Sequence, residues 1–284
     1  MRIPFSELHH YASLDPTTSA LLISSHPSLP SSYQTPIEIS VVYLRAGYTP
    51  TDYPTATAWS TRLLLERSLA IKCPTIALQL AGAKKVQQVL AAPGQLSSFL
   101  NRGTSVSGLD PPPVSSLSPT HAAQLLTSFT ALYPLDSSPA GLSALALAQS
   151  HPERFVLKPQ REGGGNNVYR TDIPPYLSQL AAQDLGKAPD APLAREGYIL
   201  MDLIEPPGGV ESIMVRAGEE HGQRAEVVSE LGVYGVALFR RAEGGGAEML
   251  VNETVGHLLR TKGKDSDEGG VAVGFSVIDS PLLV

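Results

Sequence analysis

Thirteen consecutive residues, FVLKPQREGGGNN at positions 155–167, constrain this chain more than any other stretch. Phe155, Val156 and Leu157 read as a buried strand that delivers Lys158 and Glu162 into a loop containing Gly163, Gly164 and Gly165. Glycines remove the Cβ atoms that would hold a ligand off the backbone, and they permit positive φ, so consecutive peptide N–H groups can converge on an anion. Lys158 supplies a point positive charge for a phosphate, and Glu162 is a hard oxygen donor suited to Mg²⁺. A surface turn after an edge strand accounts for most glycine triplets met alone. Here lysine, glutamate and the paired Asn166 and Asn167 crowd the same loop, and the combination favours phosphate.

Bulk properties exclude several classes. The 284 residues suffice for one large domain or two smaller ones. A hydrophobic content of 42% with 17% charged residues describes a globular chain rather than a disordered one. A net charge of −6 with no Lys/Arg run argues against a nucleic-acid partner. No apolar stretch approaches the ~20 residues needed to span a membrane, and the N-terminus MRIPFSE lacks the apolar core of a signal peptide. The single cysteine, Cys73, forms no internal disulfide and reads as a structural thiol at the end of a helix. A cytoplasmic location is expected.

Along the chain, residues 1–36 are rich in Ser, Thr and Pro with little periodicity, and residues 37–44 (IEISVVYL) read as a buried strand ending at Arg45-Ala46-Gly47-Tyr48. Helical spacing runs over residues 58–70, from near Lys84, over 121–132, 142–148 and 176–182. Residues 97–119 form a Ser/Pro/Gly-rich loop or linker. Strands are expected at 198–204 and, as one long strand or a hairpin, at 227–239; residues 262–274 read as a charged, glycine-containing loop leading into the apolar segment 271–278. The class is mixed α and β, with strands concentrated in the C-terminal half and no internal repeat.

Familiar signatures are missing: no G-x-x-x-x-G-K-[ST], no G-x-G-x-x-G, no G-x-S-x-G, no H-E-x-x-H and no Cys/His metal spacing. What remains is charge attached to strands and glycine loops. Glu230 stands in the apolar run VVSELGV and, unless it is an edge residue in solvent, must face a cation, a ligand hydroxyl or water. Arg260 and Lys262 follow Leu258-Leu259, so two cations can meet at a strand end, able to grip a carboxylate and neutralise phosphate. The loop from Lys262 to Gly270 has glycines at both ends, as a hinged lid has. Each feature alone is more often a solvated corner or an exposed loop; together they point to an ATP site.

At these residues the chain resembles eukaryotic glutathione synthetase, a member of the ATP-grasp superfamily. The resemblance runs from about Ile37 to Val284 through VVYLRAGY, RLLLERS, AIKCPTIALQLAGAKKVQQ, FVLKPQREGGGNNVY, YILMDLIEP, SELGVYGV, VGHLLRTK and DEGGVAVG. It implies an α+β ATP-grasp fold with part of an α/β substrate-binding domain, divided as residues 1–82 and an ATP-binding region at 83–284. It further implies that Lys84 and Lys158 contact ATP phosphates while the loop Pro159, Gln160, Arg161, Glu162, Gly163, Gly164, Gly165, Asn166 and Asn167 closes over them, with Glu162 as Mg²⁺ ligand. Tyr169 joins the nucleotide wall; Met201, Asp202, Leu203 and Ile204 meet adenine, largely through backbone groups, and Glu230 meets the nucleoside. Lys262 and Glu268 sit on the closing loop. Arg45, Ala46, Gly47 and Tyr48 would bind substrate, as would Arg260, Val271 and Ala272, and Arg260 with Lys158 would serve the chemistry.

The family's reaction joins γ-glutamylcysteine to glycine at the expense of ATP through an acyl phosphate, in a homodimer. Phosphoryl transfer chiefly needs positioning and charge neutralisation, and an acyl phosphate must be kept from water, which suits glycine-rich lids. The resemblance begins partway through the substrate-binding domain of the longer family members, so an N-terminally truncated form is expected. In the family the missing portion adds Mg²⁺ ligands, dipeptide contacts and much of the dimer contact. A non-catalytic nucleotide-binding or dimerising fragment therefore stands as the alternative, and a structural interaction module without nucleotide as a third.

Overall fold

The computed structural model describes residues 1–30, 36–101, 118–129, 131–161, 165–215, 221–242, 247–267, 269–271, 274 and 276–281. Contacts divide the chain into two units, Met1–Val86 and Gln87–Val284.

In the first unit, β1 (Ala12–Leu14), β2 (Leu21–Ile23) and β3 (Ile37–Ile39) form an antiparallel sheet. The Ser/Thr/Pro-rich start is thus more ordered than its composition suggests, because Leu21 and Ile23 are buried and β2 gains hydrogen-bonded partners on both sides. The run 37–44 is not one strand. It breaks at Ser40, and β4 (Val41–Tyr43) leaves for a separate two-stranded parallel sheet with β5 (Ile71–Cys73), where Val41 and Tyr43 are exposed. The helix α1 (Ala56–Arg67) starts at Thr55, whose side chain accepts from the Ala58 N–H. It buries Leu65 against Leu21, Leu44 and Ala70. Cys73 closes β5 rather than a helix, and its thiol is exposed. Two short helices follow, α2 (Ile76–Ala81) and α3 (Lys84–Ala91), the latter crossing the division between the units.

In the second unit, α4 (Gln95–Asn101) opens the stretch read as a linker, of which residues 102–117 lie outside the described residues. Next come α5 (Pro119–Thr127), β6 (Leu132–Tyr133), α6 (Pro139–Ser150), β7 (Phe155–Pro159), β8 (Val168–Tyr169), α7 (Ile173–Gln183) and β9 (Tyr198–Asp202). The helix expected over 121–132 ends at Thr127 and its tail becomes β6. The order β6-β9-β7-β8 makes an antiparallel sheet with β7 inside it. One face carries Phe155, Leu157 and Leu200, fully buried against Ala144 and Ala148 of α6 and Ile173, Leu177 and Leu180 of α7. The spacing of those α7 residues puts them on one helical stripe.

A second antiparallel sheet has the order β10-β11-β12-β13, from Glu211–Met214, Gln223–Arg241, Ala247–Gly263 and Ser276–Asp279. The run at 227–239 is one arm of a long hairpin, with register shifts at Tyr234/Gly235 and Leu238/Phe239. Lys262 and Gly263 still belong to β12, so the charged loop starts later than its composition suggested. Among the described residues no helix is long and apolar enough to cross a membrane.

Candidate nucleotide site

Strand alternation decides which side chains share a face. In β7 the odd-numbered Phe155 and Leu157 enter the helical core, so Lys158 must emerge on the other face. Cross-strand register then sets Val156 opposite both Met201 of β9 and Tyr169 of β8, and Lys158 opposite Ile199. Lys158, Met201 and Tyr169 therefore stand on one face of this sheet, the one turned away from α6 and α7. Asp202 falls on the core side beside Tyr133, whose phenol pKa is raised first by burial and then by that carboxylate. The Leu203 N–H is spent on the Arg154 carbonyl at 2.8 Å, and Ile204 is exposed.

After β7 the Gln160 N–H bonds to the Gly197 carbonyl at 3.1 Å, and Arg161 lies near enough to Tyr198 to influence it. Glu162, Gly163 and Gly164 lie outside the described residues, as do Glu268 and Ala272. At the far side of the loop Gly165 has φ +78°, a conformation most side chains resist. Asn167 Nδ2 then donates to the Tyr169 hydroxyl at 3.0 Å.

On the second sheet the same alternation separates a packed face from a charged one. Val227 and Thr261 are buried, and Thr261 Oγ1 donates to Asp279 Oδ2 at 2.7 Å, a bond that holds the Asp279 carboxyl below its usual range. On the opposite face Glu230 is directly across from Arg260, and Lys262 is two residues further along β12. Arg260 Nη2 donates to Glu230 Oε2 at 2.6 Å, and Lys262 Nζ lies 3.6 Å from Glu230 Oε1. The carboxylate that needed a cation has two. Gly269 comes so close that a Cβ there would sit 3.2 Å from both oxygens of Glu230. Asp267, beyond β12, reaches the β6-β9-β7-β8 sheet, since its carbonyl accepts from the Tyr169 hydroxyl at 3.3 Å. Val271 follows in a turn closed by the Gly274 N–H.

The R-x-G-Y segment belongs to the first unit and has its own scaffold. Gly47 adopts φ +85°, and a Cβ on it would lie 2.5 Å from the Tyr53 hydroxyl. That hydroxyl donates to the Gly47 carbonyl and accepts from Arg62, which is buried and paired with Glu66 at 2.9 Å. Asp52 takes the N–H groups of Tyr48 and Thr49, leaving the Tyr48 ring partly exposed. Arg45 Nη1 reaches the Tyr43 hydroxyl at 3.3 Å, and Lys84 opens α3. Sequence reasoning missed Tyr53, Arg62 and Asp52 as supports. An arginine within a core-facing helix stripe was the available signal. A cavity of about 410 Å³ in this unit is lined by Phe5, His9, Asp52 and Thr61 among others, none of them a predicted site residue.

Comparison with known proteins shows the family. The family described as eukaryotic glutathione synthase, ATP binding domain, matches residues 6–283. The chain belongs to the eukaryotic glutathione synthetase family. The glutathione synthetase of Homo sapiens is 43% identical over 247 residues, covering 87% of this chain and 45% of the relative. That of Dictyostelium discoideum is 38% identical over 291 residues, covering all of this chain and 51% of the relative. The chloroplastic glutathione synthetase of Solanum lycopersicum is 42% identical over 246 residues, with coverage of 87% and 39%. The chain thus spans about half or less of the length of these relatives. A solved structure, the apo form of a glutathione synthetase-like effector from Globodera pallida, shares the fold at a TM-score of 0.59 and 21% identity, covering 99% of this chain and 48% of that one. The fold is the α+β arrangement of the ATP-grasp kind. The family match starts at residue 6, earlier than the segment-by-segment resemblance from Ile37, so the small β1–β3 sheet belongs to the glutathione synthetase architecture.

Proposed function

We propose that this chain binds Mg·ATP on the second unit and uses it to ligate γ-glutamylcysteine to glycine, giving glutathione. The cysteinyl carboxylate takes the γ-phosphoryl group from ATP, releasing ADP. The glycine amine attacks the resulting acyl phosphate, the new amide C–N bond forms, and phosphate leaves as the amine gives up a proton. The observation that carries this reading is a contact joining two sheets that each carry charge on one face. Lys158 and Tyr169 share a face of one, Glu230, Arg260 and Lys262 share a face of the other, and Asp267 links the two.

In this reading Lys158 neutralises phosphate oxygens, and Met201 to Ile204 offer apolar surface to adenine. Glu230 receives the ribose hydroxyls, exchanging its ion pair with Arg260 for ligand contacts. The freed guanidinium can grip a substrate carboxylate as a fork. Arg45 and Tyr48 of the first unit, and separately Val271 of the second, are substrate-binding residues in this reading. Among the described residues no group of three or more His, Cys, Asp or Glu side chains could hold a metal ion. When bound with ATP, Mg²⁺ would be held by Glu162 and would neutralise charge on the phosphates. A homodimer and a cytoplasmic setting, suited to the exposed Cys73 thiol, belong to the same reading.

The test is ADP release from the purified chain with Mg·ATP, γ-glutamylcysteine and glycine, with Lys158→Ala as control. Dipeptide-dependent turnover lost in the variant supports ligation. No turnover, with ATP still raising the Tm, leaves a nucleotide-binding member of the family that does not ligate.

A further inference from the structure

The residue after β8 has an unusual backbone. Arg170 has φ +49°, in the left-handed region where a side chain other than Gly, Asn or Asp is seldom found. Such a conformation persists only where surrounding contacts over-determine it. The contact here is distant in sequence. Arg170 Nη1 donates to Asp267 Oδ2 at 2.8 Å, across 97 positions. Asp267 is also held by its backbone, since its carbonyl accepts from the Tyr169 hydroxyl at 3.3 Å and from Lys262 Nζ at 3.4 Å. Two residues on, Gly269 closes against Glu230.

We propose that Arg170 is a positioning residue, whose ion pair with Asp267 latches the loop after β12 onto β8 and so retains the nucleotide. The proposal rests on the nucleotide reading above. Of the three donors on Asp267 among the described residues, Arg170 alone grips the side chain, so Arg170 and Asp267 form a pair that substitution can isolate. Both side chains are nearly half exposed, at 47% and 44%. Water and salt therefore weaken the pair, which can break and re-form as ligand enters and leaves. A buried pair would lock the loop shut. The left-handed backbone at Arg170 swings its guanidinium out of the β8 line toward the second sheet, at a conformational cost that glycine would not bear.

That cost makes the proposal testable. In Arg170→Gly the latch is gone but the strain is relieved, so a role in retention separates from a role in folding. Hydrogen exchange of the amides of residues 264–267 in the free full chain is expected to quicken by about 2- to 5-fold in Arg170→Gly, while its Tm stays at or above wild type. Asp267→Ala quickens exchange by the same factor, and the double variant by no more than either single one. Raising salt to 0.5 M speeds wild-type exchange and leaves Arg170→Gly unaffected. ATP then leaves both variants faster than wild type. Unchanged exchange in Arg170→Gly, additive effects in the double variant, or ATP release equal to wild type would each overturn the latch. If wild type binds no ATP, the nucleotide reading fails and retention with it, while the exchange data still decide whether Arg170 and Asp267 hold the loop.

Discussion

Arg260 and Glu230 face each other directly across the β11–β12 pair, joined at 2.6 Å with both side chains about two-fifths exposed, at 41% and 39%. Exposure on that scale means the pair contributes little to folding, about 0.5 kcal/mol. In the proposed function it holds two ligand-binding groups on one face. Arg260→Ala is therefore expected to shift the Tm by no more than about 2 °C while cutting ADP release about 100-fold or more. Arg260→Lys keeps the charge without the fork and recovers only part. Turnover within about threefold of wild type in Arg260→Ala would remove this guanidinium from the chemistry.

Adjacent residues of β7 should behave as opposites. Leu157 is fully buried between α6 and α7, and Leu157→Ala is expected to cost about 2–5 kcal/mol in denaturant unfolding. Lys158 is on the other face, so Lys158→Ala should cost less than about 1 kcal/mol yet abolish stabilisation by ATP, worth about 2.7 kcal/mol in wild type at a hundredfold excess over Kd. A Lys158→Ala chain that ATP still stabilises fully would contradict the assignment of this face.

At the turn preceding Tyr48, Gly47 is fixed by backbone and by space, with φ +85° and the Tyr53 hydroxyl 2.5 Å from where a Cβ would stand. Gly47→Ala is expected to cost about 2 kcal/mol or more in urea unfolding. Adding Tyr53→Phe should return the crowding part of that loss and leave the left-handed part. A Gly47→Ala chain as stable as wild type would mean that the turn relaxes without cost.

Alkaline pH should expose the tyrosine pair behind β9. Tyr176 and Tyr198 share a hydrogen bond at 2.6 Å, and burial first, then this bond, pushes Tyr198 from 10.0 up to about 12. The folded state holds that proton more tightly than the unfolded one. Its stabilising contribution is full below pH 10 and is lost as pH rises toward 12. Tyr198→Phe should be less stable than wild type at pH 8 by about 1 kcal/mol for the lost bond, and should lose stability less steeply between pH 10 and 11.5. Parallel declines in the two proteins would show that Tyr198 does not titrate late.

How much of this was legible beforehand differed by element. The strand at Phe155, the hairpin arm at Val227 and the helix around Leu63 were legible from local residue pattern, although Leu63, Leu231 and Val233 are exposed. The run from Ile37 to Leu44 misled. An apolar β-branched stretch says that strand is favoured but not which sheet takes it, and a break at Ser40 sends its halves to different partners. Lys262 read as loop because Gly263 and Lys264 follow it; its pairing with Val228 keeps it in β12. Glu230 was legible as a carboxylate in need of a cation, and Arg260 and Lys262 as cations at a strand end.

Composition and local pattern were enough to establish the mixed α and β class and the family resemblance, since each is written in residues close together in the chain. They could not establish that Arg260 faces Glu230, that Arg170 reaches Asp267, or that Tyr53 and Arg62 support Gly47. Those pairs depend on hairpin register and on the packing of distant segments. A shift of one residue in a strand turns every side chain to the opposite face. Local sequence records which residues are able to meet, and the folded sheets bring these particular ones together.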